Sequence, residues 1–328
     1  MTRVLITGAL GQVGTELTLA LRERYGVSEV LATDIRRPSP GHPAANGPFQ
    51  LLDGLDAAGL LATVQAQGIQ EIYHLAALLS AVAEAKPALA WHLNMQSLIN
   101  VLDAAHTCGC RVFAPSSIAV FGPDTPRDLA PQLTSLRPTS MYGVTKVAGE
   151  LLCDDYARRY GVDVRGLRYP GLISASAPPG GGTTDYSVEM YHAAASSQPY
   201  ACFLNPDTAL EMLFMPDAVR ATLELMDAPK AALRYPNAYN LAGMSLTPAA
   251  IAAAIRRQLH AFDLPHFEVS YAPDPVRQAI ANGWPRSIDD AAARQDWSWQ
   301  PAYDLQRMTS QMLAALTHHT TGGLAHGA

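Results

Sequence analysis

The chain has 328 residues, 48% of them apolar, and a formal net charge of −6. This length allows a substantial buried core, in one large domain or in two closely joined ones. The acidic balance gives no electrostatic basis for binding nucleic acid or an anionic membrane, and no apolar run reaches the ~20 residues that span a bilayer. Because the N-terminus also lacks the layout of a signal peptide, we expect a cytoplasmic protein.

The cysteines and histidines do not follow a metal-binding pattern. None of the ten histidines lies in an H-x-x-E-H or H-E-x-x-H arrangement. The spacing of the four cysteines matches neither a zinc site nor a redox pair. They are Cys108, Cys110, Cys153 and Cys202. We therefore expect reduced, partly buried thiols and no metal ion.

The first predicted strand, residues 4–6, runs into a glycine-rich turn and then into an apolar helical pattern. Glycines at this spacing permit a sharp turn, let the backbone approach a pyrophosphate and let the helix pack on the strand. The N-terminus of the helix also offers N–H donors to phosphates. Strand, turn and helix together favour a dinucleotide site over a glycine turn without a ligand. The candidate cofactor contacts in this dinucleotide site are Gly8, Gly11, Gln12, Val13 and Gly14.

A second predicted strand, residues 29–33, ends at Asp34, about 20 residues after the last glycine of the turn. A carboxylate at this position accepts both ribose hydroxyls of NAD and repels the extra phosphate of NADP. Arg36 and Arg37 are close enough to weaken this discrimination. The sequence therefore favours NAD without excluding NADP.

Strands and helices continue to alternate after this unit. Strand-like runs occur at residues 72–75 and 111–114, with a helical pattern at 94–106 between them. Such alternation is typical of a parallel sheet that is covered by helices on both faces. The sequence therefore predicts an α/β fold with a Rossmann-type, doubly wound parallel sheet.

The candidate chemistry follows the strand at 111–114. Ser116 and Ser117 come directly after it, and Tyr142 and Lys146 lie near the start of a long helical run, on one face because they are four residues apart. A lysine ammonium beside a phenol favours the phenolate, which is a suitable general base for an alcohol proton. Y-x-x-x-K alone also fits a surface lysine beside a packed tyrosine. Its position after a nucleotide turn and a strand end favours the catalytic interpretation.

These residues resemble the extended short-chain dehydrogenase/reductase family over almost the whole chain. The matching motifs are TGALGQVG at 7–14, Asp34, Asp53, HLAA at 74–77, Ser117, YGVTK at 142–146, RYPG at 168–171 and YNLAG at 239–243. The resemblance implies a smaller C-terminal, substrate-binding part beside the sheet. The expected division is an NAD-binding domain over 1–172, with a strand near 238–242 returning to it, a substrate-binding part over 173–237 and 243–317, and a disordered tail at 318–328.

The resemblance also implies roles for individual residues. Ser117 would orient the substrate oxygen, Tyr142 would exchange the proton, and Lys146 would also hold the nicotinamide ribose. Ser116 is less favoured, because counting back from Phe121 and Gly122 aligns Ser117 with the catalytic position of the family. Further implied cofactor contacts are Asp53, His74, Leu75, Ala76, Ala77 and Tyr169.

The family includes nucleotide-sugar epimerases, dehydratases, reductases and dehydrogenases. An enzyme that acts on a nucleotide sugar must hold a diphosphate outside the cofactor site, usually with cationic side chains. Residues 173–219 contain no Lys or Arg, which argues against such a substrate, although Arg277 and Arg286 could contribute. A nucleotide-sugar 4-epimerase that retains its NAD stays an alternative. A further alternative is a non-catalytic NAD-binding regulator. The presence of a complete catalytic set argues against it, namely Ser117, Tyr142 and Lys146.

Other segments are similar to the short-chain, zinc-independent type of L-threonine dehydrogenase. They are PPGGGTTDYSVEMYHAA at 178–194, LSAVAE at 79–84, NGWPRSIDD at 282–290 and DWSW at 296–299. This similarity implies NAD-dependent oxidation of the 3-hydroxyl of L-threonine to 2-amino-3-ketobutyrate. A small zwitterion can be held by short donors and acceptors without a large charged clamp. Besides Ser117 and Tyr142, the candidate substrate contacts are Ser80, Gly180, Gly181, Gly182, Thr183, Thr184 and Trp284.

Three points about this part stay open. The segment 178–186 either orders around the amino acid or is a solvent-exposed turn, and Trp284 either closes over the substrate or belongs to the core. We leave Asp185 and Glu189 out of the site, because a solvated helix N-terminus explains both. By resemblance, the helices near 92–107 and 143–160 pair across a two-fold axis, so we expect a homodimer, with a tetramer as the alternative.

Overall fold

A computed structural model describes residues 2–176 and 181–322. The predicted site residue Gly180 lies outside the described residues, together with residues 177–179 and 323–328. In the described ranges the strands are β1 (Val4–Thr7), β2 (Val30–Asp34), β3 (Phe49–Leu51), β4 (Glu71–His74), β5 (Arg111–Phe113), β6 (Ser116–Ser117), β7 (Val164–Arg165), β8 (Leu167–Tyr169), β9 (Gly171–Ile173), β10 (Tyr200–Cys202), β11 (Leu210–Phe214), β12 (Tyr239–Asn240), β13 (Met244–Leu246) and β14 (Val269–Tyr271).

The helices connect these strands and cover the sheet. They are α1 (Gln12–Tyr25), α2 (Ala57–Gln67), α3 (Ser80–Ala85), α4 (Pro87–Cys108), α5 (Met141–Tyr160), α6 (Tyr186–Ala195), α7 (Met215–Asp227), α8 (Pro248–Gln258), α9 (Pro275–Asn282), α10 (Ala291–Trp297) and α11 (Leu305–Gly322). The last helix extends through residues 318–322, which we expected to begin a disordered tail. Among the described helices, none is long and apolar enough to cross a membrane.

The largest sheet contains six parallel strands in the order β3-β2-β1-β4-β5-β7. At its centre β1 pairs in parallel with β2 on one side and with β4 on the other. Every residue of β1 is buried, because helices cover both faces of the sheet. The order reverses direction at β1 and β4, which is the switch point where parallel sheets bind ligands at the carboxyl ends of their strands. The predicted α/β, Rossmann-type fold is confirmed.

Short strands continue this sheet beyond the carboxyl ends of β5 and β7. β6 follows β5 and pairs with β8, which follows β7, and β12 pairs with β8 on its other side. The chain therefore returns at residues 239–240 to this extension of the sheet, where β8 separates it from the strand that carries Ser116 and Ser117.

The remaining segments form a smaller layer with its own core. A three-stranded sheet in the order β13-β11-β9 and the pair β10 and β14 lie in this part. Helices α6, α8 and α11 pack against one another beside them. Their core contains large apolar side chains such as Tyr186, Tyr191, Met212 and Met308. All four cysteines are free thiols, of which Cys108 is half-buried and the other three are buried.

Candidate active site

The glycine turn between β1 and α1 has the conformation that the sequence predicts. Gly8 has φ +69°, a left-handed value that favours glycine. A Cβ on Gly14 would lie 2.3 Å from the carbonyl oxygen of Gly8, so only glycine lets the helix pack this closely on the turn. α1 begins after Gly11, and no side chain at the N-cap caps it. This end of the helix is suited to an anionic group.

Asp34 ends β2 directly beside this turn. Its carboxylate is buried and accepts hydrogen bonds from the backbone N–H groups of Leu10, at 3.2 Å, and Arg36, at 3.1 Å. The exposed guanidinium of Arg36 lies 3.6 Å from the same carboxylate. Asp34 is thus fixed at the position expected for a ribose contact. Asp53, the predicted adenine contact, is exposed after β3 and accepts from the N–H of Leu55 at 2.9 Å.

His74 ends β4 and connects three elements behind the candidate cofactor site. Its Nδ1 lies 2.9 Å from Thr7 Oγ1 and its Nε2 lies 3.3 Å from Ser97 Oγ. Burial lowers the pKa of His74 to about 3, and the positive charge of Lys146 acts in the same direction. His74 is therefore a neutral residue that positions the chain. The half-buried residues that follow it, Leu75, Ala76 and Ala77, line a cavity together with Lys146.

Tyr142 and Lys146 lie in the first turns of α5. The helix begins at Met141, one residue before Tyr142, because Ser140 caps it by accepting from the N–H of Gly143 at 3.1 Å. The Nζ atom of Lys146 lies 5.5 Å from the centre of the Tyr142 ring. The same ammonium donates to the carbonyl of Pro115 at 2.7 Å. It is therefore held between the phenol and the chain segment that leads into β6.

The two serines of β6 have different surroundings. Ser116 is buried and its hydroxyl donates to Glu150, whose carboxylate also pairs with both Nε and a terminal nitrogen of Arg168 at 2.9 and 2.8 Å. Ser117 is half-buried, and its Oγ accepts from the N–H of Ala119 at 3.2 Å. The Ser117 hydroxyl keeps its proton for a further acceptor. Helix α5, which carries Tyr142 and Lys146, packs on β6, which carries both serines. Ser116 belongs to a buried network and also lines the cavity beside Lys146.

Asn94 on α4 is a site residue that the sequence analysis missed. Its amide oxygen accepts from the N–H of Leu78 at 2.8 Å, and its amide nitrogen donates to Leu78 O and to Thr145 Oγ1, both at 3.2 Å. It fixes the segment after β4 against the helix that carries Tyr142 and Lys146. Helix α4 also buries Ser97 and Asn100, so no signal in the sequence singled out Asn94.

Of the predicted substrate contacts, two hydroxyl side chains lie close together, whereas two glycine N–H groups are bonded to a carboxylate of the protein. Ser80, at the start of α3, and Thr183 are 103 positions apart, yet their hydroxyl oxygens lie 3.4 Å from each other and both side chains are buried. The N–H groups of Gly181 and Gly182, which we expected to face a substrate carboxylate, instead donate to one oxygen of Asp185 at 2.7 Å each. Thr184 is half-buried beside them.

Asp185 itself corrects the sequence analysis. Its side chain is 8% exposed rather than solvated, and burial raises its pKa, while the two glycine N–H groups oppose that shift. Glu189 is half-buried and accepts a hydrogen bond from the hydroxyl of Tyr200 at 2.5 Å. The N-terminus of α6 is therefore packed and hydrogen-bonded, and it does not face solvent.

Two other predicted contacts lie in the hydrophobic cores. Trp284 is 6% exposed and belongs to the core of the smaller layer. Of the two alternatives, a core residue or a side chain that closes over the substrate, the structure supports the core residue. Tyr169 is 5% exposed in the core beside the large sheet, and its hydroxyl is paired with Thr222 Oγ1. Burial raises the pKa of this phenol. The position of Tyr169 does not support a side-chain contact with a cofactor.

Comparisons with known proteins identify similar chains. The NAD dependent epimerase/dehydratase family matches residues 4–242. An uncharacterised epimerase/dehydratase of Staphylococcus aureus is 48% identical over 321 residues, which cover 98% of each chain. The GalE-like L-threonine dehydrogenase from Cupriavidus necator, in its holo form, is 52% identical with a TM-score of 0.91, covering 96% of this chain and 99% of that one. A monomeric L-threonine 3-dehydrogenase from a metagenome database, in its apo form, is 47% identical with a TM-score of 0.91 and the same coverage.

The fold, the glycine turn and these similarities define an NAD-dependent oxidoreductase. The chain belongs to the NAD dependent epimerase/dehydratase family. The residues present fit its cofactor, because the open helix end after Gly11 suits a pyrophosphate and the buried carboxylate of Asp34 suits a ribose. The resemblance found in the sequence and the prediction of NAD are confirmed.

Proposed function

We propose that the protein oxidises the 3-hydroxyl group of L-threonine to give 2-amino-3-ketobutyrate. The observation that carries the proposal is the position of Lys146, whose Nζ lies 5.5 Å from the centre of the Tyr142 ring and donates at 2.7 Å to the carbonyl of Pro115, two residues before Ser117. The similarity to an L-threonine dehydrogenase over 96% of the chain supports the choice of substrate.

In the proposed reaction, Tyr142 as a phenolate takes the proton of the alcohol and Ser117 donates a hydrogen bond to the same oxygen. Lys146 places its positive charge beside the phenol and so favours the phenolate. NAD⁺, when bound, accepts the hydride that leaves the carbon of the alcohol. The products are a ketone, NADH and a protonated Tyr142, which returns its proton to solvent.

Short polar side chains supply the proposed substrate contacts. Ser80 and Thr183 form a buried hydroxyl pair, and Thr184 follows in the chain. These groups can hydrogen-bond the carboxylate or the ammonium of a small amino acid. The N–H groups of Gly181 and Gly182 join them only where the carboxylate of Asp185 releases them.

The direct test follows NADH by its absorbance while L-threonine, D-threonine, L-serine and UDP-galactose are offered separately with NAD⁺. We expect NADH with L-threonine and none with UDP-galactose. Protein that purifies with stoichiometric bound NAD and converts UDP-galactose without releasing NADH would instead establish the epimerase alternative. Normal NAD affinity without turnover of any 3-hydroxy amino acid would establish the regulator.

We also propose that the protein forms a homodimer through α4 and α5. These helices pack on each other and leave large apolar side chains exposed, among them Trp91 and Leu151 at 45% and 65%. Such exposure along two adjacent helices is typical of an interface. Sedimentation velocity should give a dimer for the unchanged chain and a monomer for Leu151→Glu. A wild-type monomer, as described for the metagenome relative, would refute the proposal.

A further inference from the structure

The segment after β2 is fixed against the cofactor-binding helix by a buried arginine. Arg22, in the last turn of α1, donates to the carbonyl oxygens of Pro43 at 2.7 Å, Pro48 at 2.9 Å and Ala44 at 3.3 Å. The side chain is 5% exposed. The segment 42–48 therefore has a defined position on the outer side of α1, and His42 lies at its start.

The hydrogen bonds around His42 fix the position of its proton. The backbone N–H of Ala44 donates to Nδ1 of His42 at 3.1 Å, so Nδ1 carries no hydrogen and Nε2 carries it. Nε2 lies 3.2 Å from Thr15 Oγ1, and the Thr15 hydroxyl donates to the carbonyl of Gly11 at 2.8 Å. Because the Thr15 hydrogen is used in that bond, the hydroxyl accepts from His42. Burial also lowers the pKa of His42, with Asp34 opposing, which favours the neutral ring.

This chain of hydrogen bonds ends on the glycine turn. The carbonyl of Gly11 accepts from both the N–H and the hydroxyl of Thr15, each at 2.8 Å. The carbonyl belongs to the same rigid peptide plane that opens α1, so its direction sets the orientation of the first helical turn. The N–H groups at the start of that turn are suited to phosphates. Hydrogen bonds in series also strengthen one another by polarisation.

We propose that His42 is a positioning residue for NAD, which acts through Thr15 on the peptide plane of Gly11 in the pyrophosphate-binding turn. It makes no contact with the reacting atoms. Its role is to hold the turn in its binding conformation before the cofactor arrives, so that little ordering is needed on binding. The affinity for the cofactor should therefore depend on the donor at Nε2 of His42.

Two substitutions separate this role from a purely structural one. His42→Asn keeps an acceptor for the N–H of Ala44 but removes the donor to Thr15, whereas His42→Gln can keep the donor and loses the local acceptor. We expect His42→Asn to weaken NADH binding about fivefold, as for the loss of one hydrogen bond, with kcat unchanged. His42→Gln should stay within about twofold of the wild type. The readout is a fluorescence titration of bound NADH, which needs no substrate and is independent of the proposed threonine chemistry.

A second pair of variants tests the next link. Thr15→Val removes the hydroxyl with little change of shape and should weaken NADH binding as His42→Asn does. Thr15→Ser keeps the hydroxyl and should bind NADH with wild-type affinity. The double variant His42→Asn, Thr15→Val should be no weaker than either single one, because both break the same chain. Unchanged NADH affinity in His42→Asn or in Thr15→Val would overturn the proposal. So would a weak His42→Gln variant beside a normal His42→Asn, which would assign His42 to the local turn alone. Should His42→Asn fail to fold, the Thr15→Val and Thr15→Ser pair decides.

Discussion

Ser116 and Ser117 are neighbours in sequence but have different hydrogen-bond partners. Ser116 donates to a buried carboxylate, whereas the half-buried Ser117 hydroxyl accepts from the N–H of Ala119. We expect Ser117→Ala to lower kcat about 10²-fold at an unchanged melting temperature, because it removes one hydrogen-bond donor to the reacting oxygen. Kinetics and thermal unfolding on the same preparations check this.

Ser116→Ala is the matched control for that prediction. It leaves Glu150 with one partner fewer in a buried network, which costs about 1–3 kcal/mol of stability. The expected pattern is therefore a kinetic defect at Ser117 and a stability defect at Ser116. The reverse pattern would show that the catalytic serine has been misassigned.

Tyr142 is the proposed base, and its hydroxyl is the only group that Tyr142→Phe removes. Because general-base catalysis contributes about 10²–10⁴-fold, we expect kcat to fall by at least about 10²-fold in this variant. The NADH dissociation constant, measured by fluorescence, should change little. Activity within about tenfold of the wild type would mean that another group takes the proton.

Local patterns in the sequence were sufficient for some site residues and insufficient for others. The spacing of Tyr142 and Lys146 and the position of Asp34 follow from one helix and one strand, so the sequence predicts them. The pairing of Ser80 with Thr183 depends on packing across 103 positions. The burial of Asp185 and the core position of Tyr169 depend on neighbours that no local pattern specifies. His42 and Asn94 were missed for the same reason.

At the scale of elements, the turn between β1 and α1 gives a prediction about two glycines. A methyl group on Gly14 would lie 2.3 Å from the carbonyl of Gly8, whereas one on Gly11 would lie 3.5 Å from the same atom, an ordinary contact. We expect Gly14→Ala to lower both the melting temperature and the affinity for NADH. Gly11→Ala should keep the melting temperature and lose NADH affinity, because its methyl group would meet the phosphates.

Thermal unfolding and NADH titration of the two variants distinguish these outcomes. A Gly11→Ala variant with full affinity would show that the phosphates do not approach the backbone there. The contrast is useful because both glycines belong to one motif in the sequence. The structure alone separates packing from ligand approach.

The elements themselves were predictable where one pattern dominates. β1 and β2 are short apolar runs, and both were found within one residue of their predicted ends. α4 begins at Pro87, seven residues before the helical pattern predicted at 94–106, and α5 begins at Met141, about two residues before the helix expected near 143–160. Pro87 in the first turn and the cap at Ser140 set those starts, and these signals do not appear in an apolar periodicity.

At the scale of the whole molecule, Glu211 gives a pH-dependent stability. It lies on β11 and accepts from the N–H groups of Gly243 and Ile288, so it joins three segments of the smaller layer. Burial raises its pKa from 4.5 to about 7; the two backbone hydrogen bonds oppose the shift, and Asp290 adds to it. A carboxyl group with a raised pKa stabilises the fold below the unfolded value, and this stability is lost as pH rises through about 7.

We therefore expect the free energy of unfolding to fall by about 3 kcal/mol between pH 4.5 and pH 8 through this group. Glu211→Gln should flatten that part of the pH profile. Glu268→Gln, at a side chain that is 75% exposed, is the control and should leave it unchanged. Denaturant unfolding at several pH values measures both. An identical slope in wild type and Glu211→Gln would contradict the prediction.

The central claim is that this molecule removes hydride from the alcohol carbon of L-threonine. The most direct measurement uses L-threonine deuterated at carbon 3 and analyses the released reduced cofactor by mass spectrometry. The account predicts one deuterium in each molecule of NADH, together with slower turnover where hydride transfer limits the rate. Unlabelled NADH, or no NADH at all from neutral to alkaline pH, would contradict it.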